Sequence, residues 1–318
     1  MSGGSEALRA RIVVLAHNEE RRIAACLASL PLGEPGFAVD VVVNGSSDRT
    51  AAIARKTGAA APHFAVHEYA QGGKARSWNR FVLDEAGLAD AFVFVDGDAV
   101  VVPGSIAVLL EALERHPHVN AASAMPVNGR RAEAYRDQMA REHGLFGDLY
   151  ALRGSFVEQM RASGIRLPED LVGDDSLICA LAKTDLGHED EWDDARVLPC
   201  AQAGFVCEPT VLSLPSLKEQ WGRMGRYALR HQQNRIVSGI MRGPGPQVLP
   251  RAMAELYREW LPRLSVRRHP VWWWLDRKAL ALMAAQAEAV GESDGEEERS
   301  IAQASTTAGR QTSHSVSA

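Results

Sequence analysis

Ala91-Phe92-Val93-Phe94-Val95-Asp96-Gly97-Asp98 is an uninterrupted apolar strand that runs straight into two carboxylates separated by one glycine. A short apolar run rich in β-branched and aromatic residues reads as a strand buried on both faces, the pattern of a parallel sheet. In an open parallel sheet, ligands bind beyond the carboxyl ends of the strands. Asp96 and Asp98 therefore stand where a ligand would be. Their oxygens are hard donors suited to Mg²⁺ or Mn²⁺, ions that keep several waters and complete their shell with substrate phosphates. Gly97 lets a ligand come close to the backbone. Taken alone, the D-x-D spacing also describes a solvated turn after a buried strand.

On either side of this stretch, strands alternate with helices. Upstream, the pattern predicts a strand over Ile12 to Ala16, a helix from Glu20 to Leu30, a strand over Val39 to Val43, and a helix from about Asp48 to Thr57. A short strand near Phe64 to His67 and a helix from about Lys74 to Glu85 complete the first half. Such alternation implies right-handed βαβ units and a parallel sheet. Downstream, a helix is expected from Pro103 to Arg115 and a strand over Val119 to Met125. Helices are expected over Ala132 to His143, Asp174 to Lys183 and Leu217 to Gln233, with apolar pieces at Val197 and Phe205 to Val206. The stretch Arg242 to Pro250 reads as a Gly- and Pro-rich linker to a helical appendage, residues 242–290. From Gly291 to Ala318 the chain is polar and without period, and is expected to be a disordered tail.

Composition narrows the function. The 318 residues are 46% hydrophobic, enough for a sizeable core, and carry a formal net charge of −5 with a pI near 6.1. That balance offers no general basic field, so no nucleic-acid partner is expected. Cys26, Cys179, Cys200 and Cys207 form no C-x-x-C pair, which suits reduced thiols better than disulfides or a zinc site. Neither a secretion signal nor an apolar run of about 18 residues is present, so a cytoplasmic location is expected. Trp272, Trp273 and Trp274, beside Arg267, Arg268 and His269, could give peripheral membrane contact or pack the appendage on the main domain. A consecutive triplet cannot all face one side of a helix.

Four further segments carry candidate chemistry. After the first strand, Ala16-His17-Asn18-Glu19-Glu20 ends at the same sheet edge, with Asn18 placed to cap the next helix. After the second, Asn44-Gly45-Ser46-Ser47-Asp48-Arg49-Thr50 offers amides and hydroxyls for a base or ribose. Gly72-Gly73-Lys74-Ala75-Arg76, with Asn79 and Arg80 a turn on, places cations where a diphosphate could sit. It is not a P-loop, because the G-x-x-x-x-G-K-[ST] spacing is missing. Finally, Glu169, Asp170, Asp174 and Asp175 precede an apolar helix, and Asp174 or Asp175 could take a proton from an incoming hydroxyl.

In this order the five segments resemble the family 2 glycosyltransferases of the GT-A fold, over roughly residues 10 to 235. The family's marks are an N-E-E loop, a D-G-S-x-D-x-T turn, a G-K loop, a D-x-D and a later E-D or D-D before Leu. They stand here at His17 to Glu20, Asn44 to Thr50, Gly73 to Asn79, Asp96 to Asp98 and Asp174 to Leu177.

The resemblance implies an α/β GT-A domain over residues 8–241, with a nucleotide-sugar half at 8–125 and an acceptor half at 126–241. It implies a nucleoside-diphosphate sugar donor, an acceptor hydroxyl, and inversion of configuration. Ala16, His17, Glu19, Asn44, Lys74, Asp96 and Gly97 would line the donor pocket, with Asp98 as direct metal ligand and Asp96 on the ribose or the metal. Asp175 would be the general base, with Asp174 its alternative, and Lys74 or Arg76 would assist the leaving group.

Gln220-Trp221-Gly222-Arg223 resembles the start of the family's Q-x-x-R-W motif, but Met224 stands where the Trp would be. That departure, with the missing membrane helices, argues against a processive polysaccharide synthase. Arg223, Arg226 and His231 are candidates for a lid, and Tyr150, Arg153 and Glu158 for the acceptor pocket. Asn44 stands where many members have an acidic residue, which leaves the base open. The alternatives are a non-catalytic relative of the same fold and a sugar-phosphate nucleotidylyltransferase. The latter carries a Gly-rich, Arg-containing loop after its first strand, where this chain has AHNEE. A dehydrogenase would need G-x-G-x-x-G there.

Overall fold

A computed structural model describes residues 8–208 and 214–290, without side-chain detail for 214–220. Its centre is an eight-stranded sheet of order β3-β2-β1-β4-β7-β6-β8-β5. The strands are β1 (Ala10–Ala16), β2 (Phe37–Asn44), β3 (Phe64–Tyr69), β4 (Ala91–Asp96), β5 (Ala99–Val101), β6 (Ala121–Pro126), β7 (Leu149–Arg153) and β8 (Val197–Cys207). β3, β2, β1 and β4 are mutually parallel, β7 runs antiparallel between β4 and β6, and β6 pairs parallel with β8.

The inner strands β1, β2 and β4 are almost wholly apolar because both of their faces are covered, whereas the edge strand β3 carries His67 and Glu68. In β1, Val13 and Leu15 enter one buried cluster, while Ala10, Ile12, Val14 and Ala16 enter the other. β4 divides likewise, with Phe92 and Phe94 on one side and Ala91, Val93 and Val95 on the other. That is the two-residue period of a strand read through a sheet with two cores.

One face is covered by helices α1 (Ile23–Ala28), α2 (Thr50–Gly58) and α4 (Ser105–Arg115). The other is covered by α3 (Lys74–Trp78), α6 (Gly154–Ser163), α7 (Asp174–Lys183), the long α8 (Leu214–Arg242) and α9 (Ala254–Trp260). α5 (Ala132–Glu142) flanks β6 and β8. Under the second layer Trp78, Phe94 and Tyr150 stack in series, with ring centroids 5.6 and 4.7 Å apart. Each is buried, and burying one such side chain contributes about 1.5–3 kcal/mol.

Several expectations need correction. The helix expected over Lys74 to Glu85 changes at Asn79 to the wider π turn, which runs over Asn79–Glu85. At that junction the buried Asn79 amide donates to the Leu167 carbonyl at 2.7 Å and accepts from Leu167 N at 3.1 Å. The first helix begins at Ile23, not Glu20, and Asn18 does not cap it. α8 runs on to Arg242, because Ile236, Val237, Ile240 and Met241 continue a buried helical stripe.

β5, β7 and α6 were not anticipated. Beyond α8 the chain forms α9 and a helix over residues 270–290, and Met253, Tyr257, Met283 and Ala287 join the core cluster of the main sheet. The Trp260 ring lies where a Cβ on Gly239 would be. The tail expected from Gly291 lies outside the described residues.

Candidate active site at the carboxyl edge of the sheet

Because β1, β2, β3 and β4 are parallel, the loops that follow them meet at one edge. The loops after β1 and β2 are latched to each other. Glu19 N donates to Thr50 Oγ1 at 2.7 Å, Glu20 N to Asp48 Oδ2 at 3.0 Å, and Ser47 N to Asn18 Oδ1 at 2.9 Å. His17 Nδ1 donates to the Asn44 carbonyl at 2.6 Å. Asn44 then ties in the loop after β3, its side-chain oxygen accepting from Gly73 N at 2.6 Å. A Cβ on Gly45, whose φ is +62°, would stand 2.7 Å from Gly72, so this crossing needs glycine.

That chain of contacts delivers Lys74 to the end of β4. Its Nζ lies 2.6 Å from Asp96 Oδ1. Asp98 faces Arg22 at 3.5 Å, and Arg22 also pairs with Glu19 at 2.6 Å. β7 enters beside β4 from the opposite direction, so its first residues lie at the same edge, and Asp96 N donates to the Asp148 carbonyl at 3.1 Å. Asp96, Asp98 and Asp148 can each offer an oxygen such that all three lie within 4.8 Å of one another. This is an all-carboxylate set of the kind that suits a hard divalent cation.

Two cavities meet at Lys74 and Asp96. The smaller, about 450 Å³, is lined by His17, Glu19, Asn44, Gly97, Asp98 and Arg226 among others. The larger, about 1080 Å³, reaches from Asp148 past Asp174 and Asp175 to Trp192, Tyr227 and Arg230. Asp174 is buried with Oδ2 lacking a hydrogen-bond partner, whereas Asp175 Oδ1 accepts from Arg230 at 2.8 Å and from Ser176 N at 2.9 Å.

Residues 11–168 match the family model described as glycosyl transferase family 2. The chain belongs to glycosyltransferase family 2. A mannosyltransferase from Pyrobaculum calidifontis, described in complex with GDP-Man and Mn²⁺, superposes with a TM-score of 0.58 at 20% identity, over 92% of this chain and 81% of that one. TarS of S. aureus superposes with a TM-score of 0.51 at 17% identity, over 80% of this chain and 43% of its own. No curated protein matches the sequence. The fold shared with these structures is the GT-A fold, and the nucleotidylyltransferase alternative falls away with the family match.

The electrostatics of this glycosyltransferase are those of a site that asks for positive charge. Burial raises the Asp96 carboxyl to about 8, against the pull of Lys74 and with Asp148 and Asp98 adding to the rise. Burial also raises Asp148 and Asp174. Glu19 is pushed up to about 7 by burial and by Asp98. Burial works against the Lys74 charge, yet Asp174 and Asp96 hold its ammonium well above the ordinary lysine range.

Two residues of the site escaped the sequence reading. Asp148 precedes a five-residue antiparallel strand, and only that strand's position beside β4 brings it to Asp96. Arg230 lies one turn beyond Arg226 on α8, a spacing of four that keeps both on one face. Of the three lid candidates, Arg226 lines the smaller cavity, Arg223 is exposed, and His231 faces Arg267 and Asp276 near the C-terminal helix.

Arg76 does not reach the donor side, since it pairs with Glu169 at 2.7 Å. The suggested acceptor residues are also placed elsewhere. Tyr150 is in the core, Arg153 donates to the carbonyls of Leu113, His116 and Val119, and Glu158 is exposed on α6. All four cysteines are free, and none of the described helices is long and apolar enough to cross a membrane.

Proposed function

We propose that this glycosyltransferase moves a sugar from a nucleoside-diphosphate sugar to an acceptor hydroxyl, with inversion at the anomeric carbon and dependence on Mg²⁺ or Mn²⁺. The observation that carries the reading is the convergence of Asp96, Asp98 and Asp148 between two cavities, one ending at His17 and Asn44 and the other holding Asp174 and Asp175. GDP-Man with Mn²⁺ in the Pyrobaculum neighbour agrees with such a pairing of donor and ion.

The residues present fit the ion. Three half-buried carboxylates stand together, and Asp96 and Asp148, raised by burial and by the neighbouring acids, are the kind of groups a bound cation stabilises. A bound Mg²⁺ or Mn²⁺ supplies Lewis-acid neutralisation of the negative charge that develops on the departing diphosphate. Asp98, Asp96 and Asp148 would hold it. His17, Glu19, Asn44 and Gly97 line the donor cavity, whereas Ala16 is buried behind Gly97 and does not reach it; the Asn44 oxygen is already spent on Gly73 and its amide hydrogens are left for the nucleotide. Lys74 adds a fixed positive charge at the junction of donor and acceptor, and Arg226 adds another from α8.

Asp175 is the base in this reading. It lines the larger cavity, and Arg230 holds one oxygen so that the other can take the proton from an acceptor hydroxyl. The hydroxyl then attacks the anomeric carbon from the face opposite the leaving diphosphate, which inverts configuration. Asp174, deeper and close in charge to Lys74, keeps that ammonium in place. The acceptor comes from the larger cavity.

The test is release of nucleoside diphosphate from a panel of nucleotide sugars, with Mn²⁺ or with chelator, in the parent and in Asp98→Ala. The reading expects release from one donor class, needing metal, and lowered about 10²-fold or more in the variant. Equal release in chelator would overturn it.

A further inference from the structure

α8 and the helix over residues 270–290 meet in a surface whose composition differs from the rest of the molecule. Trp221 of α8 and Trp274 of the C-terminal helix lie with ring centroids 5.5 Å apart. Behind them Ala228, Leu275 and Ala279 form a small buried cluster, with Met224, Leu229 and Trp272 packed against it. In front, Trp221 is 50% exposed, Tyr227 54%, Trp273 43% and Trp274 38%. The inward residues Trp272, Leu275 and Ala279 hold the helix to the protein. The outward ones are large aromatics left in water, where soluble surfaces seldom cluster them.

Charge sets this surface apart as well. Residues 221–242 contain Arg223, Arg226, Arg230, Arg235 and Arg242 and no acidic residue. Residues 263–278 contain Arg263, Arg267, Arg268, Arg277 and Lys278, and their one acid, Asp276, is buried and paired with Arg267 at 2.6 Å. This lies on a chain whose net charge is −5. The cations stand over the tryptophans themselves. Lys278 Nζ is 3.7 Å from the Trp274 ring centroid, and the Arg277 guanidinium is 4.9 Å from that of Trp273.

We propose that this surface docks the protein on an anionic lipid bilayer. Indole rings prefer the boundary where one end is apolar and the other wet, and neighbouring lysines and arginines are drawn to negatively charged headgroups. Exposed tryptophans beside Arg277 and Lys278 supply both at once. Of the cations here, Arg230, Arg242 and Arg263 are paired with Asp175, Glu189 and Glu259, while Arg277 and Lys278 lie over the tryptophan rings, so rings and positive charge are presented together, as an anionic headgroup layer requires. α8 also carries Arg226 and Arg230 into the active site, so the docking face and the mouth of the site share one element.

Flotation of the full chain with phosphatidylcholine vesicles, with and without phosphatidylglycerol, tests the proposal. The chain is expected to float with the vesicles containing about 30 mol% anionic lipid, to remain below with neutral ones, and to dissociate at about 0.5 M salt. Trp273→Ser with Trp274→Ser should lower the bound fraction at least about tenfold. Arg277→Gln with Lys278→Gln, which keeps both rings, should shift the lipid needed for half-binding upward about tenfold. Circular dichroism and thermal midpoints show that the variants are folded. Failure to float with anionic vesicles overturns the proposal, as does flotation that neither variant changes. A concentration-dependent dimer lost in the Trp variant would likewise overturn it, by assigning the surface to a second copy of the chain.

Discussion

Lys74 Nζ lies 2.6 Å from Asp96 Oδ1, so an ammonium already stands against a carboxylate that also faces Asp98 and Asp148. The end of β4 and the start of β7 thus bring three acids together, against Lys74 and, 3.5 Å from Asp98, Arg22. The arrangement keeps more negative charge than the protein's own cations neutralise, and the predictions below turn on that excess.

Lys74→Met keeps much of the side-chain length and removes the charge. Asp96 and Asp174 then lose their nearest cation at a half-buried pair, which costs more than the ~1 kcal/mol of an exposed pair and less than the about 3–5 kcal/mol of a fully buried one. The metal-free thermal midpoint should fall, and kcat/KM for the donor should drop about 10²- to 10³-fold. Melting curves and donor kinetics read both effects. Unchanged donor kinetics would remove Lys74 from the site.

Asp148→Asn tests the carboxylate that comes from β7. Removing one of several repelling buried charges should leave the metal-free protein as stable as the parent or more so, because burial already raises the Asp148 carboxyl. The Mn²⁺ concentration for half-maximal activity should rise at least about tenfold. A variant with the parent's metal requirement would show that Asp148 is not a ligand.

The pH dependence follows from Asp96, whose carboxyl is raised from 3.8 to about 8. Its contribution to metal-free stability is complete below the ordinary value and is lost as the pH climbs through the raised one. Glu19, raised to about 7, acts in the same direction. In chelator, the thermal midpoint should therefore decline from about pH 5 to about pH 8, and Asp96→Asn should flatten that decline. Mn²⁺ must displace the same proton, so stabilisation by Mn²⁺ should grow over this window.

Gly97→Ala probes the crowding between the two central loops. A Cβ there would stand 2.8 Å from Ala16 Cβ and 3.1 Å from Ala16 Cα, with Leu15 O at 3.3 Å. The backbone must shift, at a cost of about 1–3 kcal/mol, and it carries Asp96 and Asp98 with it. Both the thermal midpoint and metal-dependent donor binding should fall. Loss of neither would show that the edge is looser than the contacts imply.

How far the sequence carried this account depends on which residues report on themselves. β1, β2 and β4 are legible because a strand covered on both faces must be apolar throughout, and the acids that end β4 interrupt such a run abruptly. β7 is short and antiparallel, so Asp148 looks like any acid before a strand until the sheet order places it beside Asp96. Arg230 was hidden among the several arginines of one helix, since choosing between neighbours requires the helix phase against α7. Asn18 was read as a helix cap because its type favours caps, whereas its side chain accepts from Ser47 across to the next loop. The breadth of the tryptophan triplet's exposure could be seen only once Trp272 was fixed inward.

The most direct measurement is a thermal-shift screen of the purified full chain against UDP, GDP, CDP, dTDP and ADP, each with and without Mn²⁺. Binding to the folded state alone stabilises by about 2.7 kcal/mol at a hundredfold excess over the dissociation constant. The account predicts a metal-dependent shift with one diphosphate that vanishes in Asp98→Ala and persists in Asp175→Asn, a variant that should bind donor yet lose transfer by about 10²- to 10⁴-fold. No shift with any diphosphate, or a shift that survives Asp98→Ala unchanged, would contradict it.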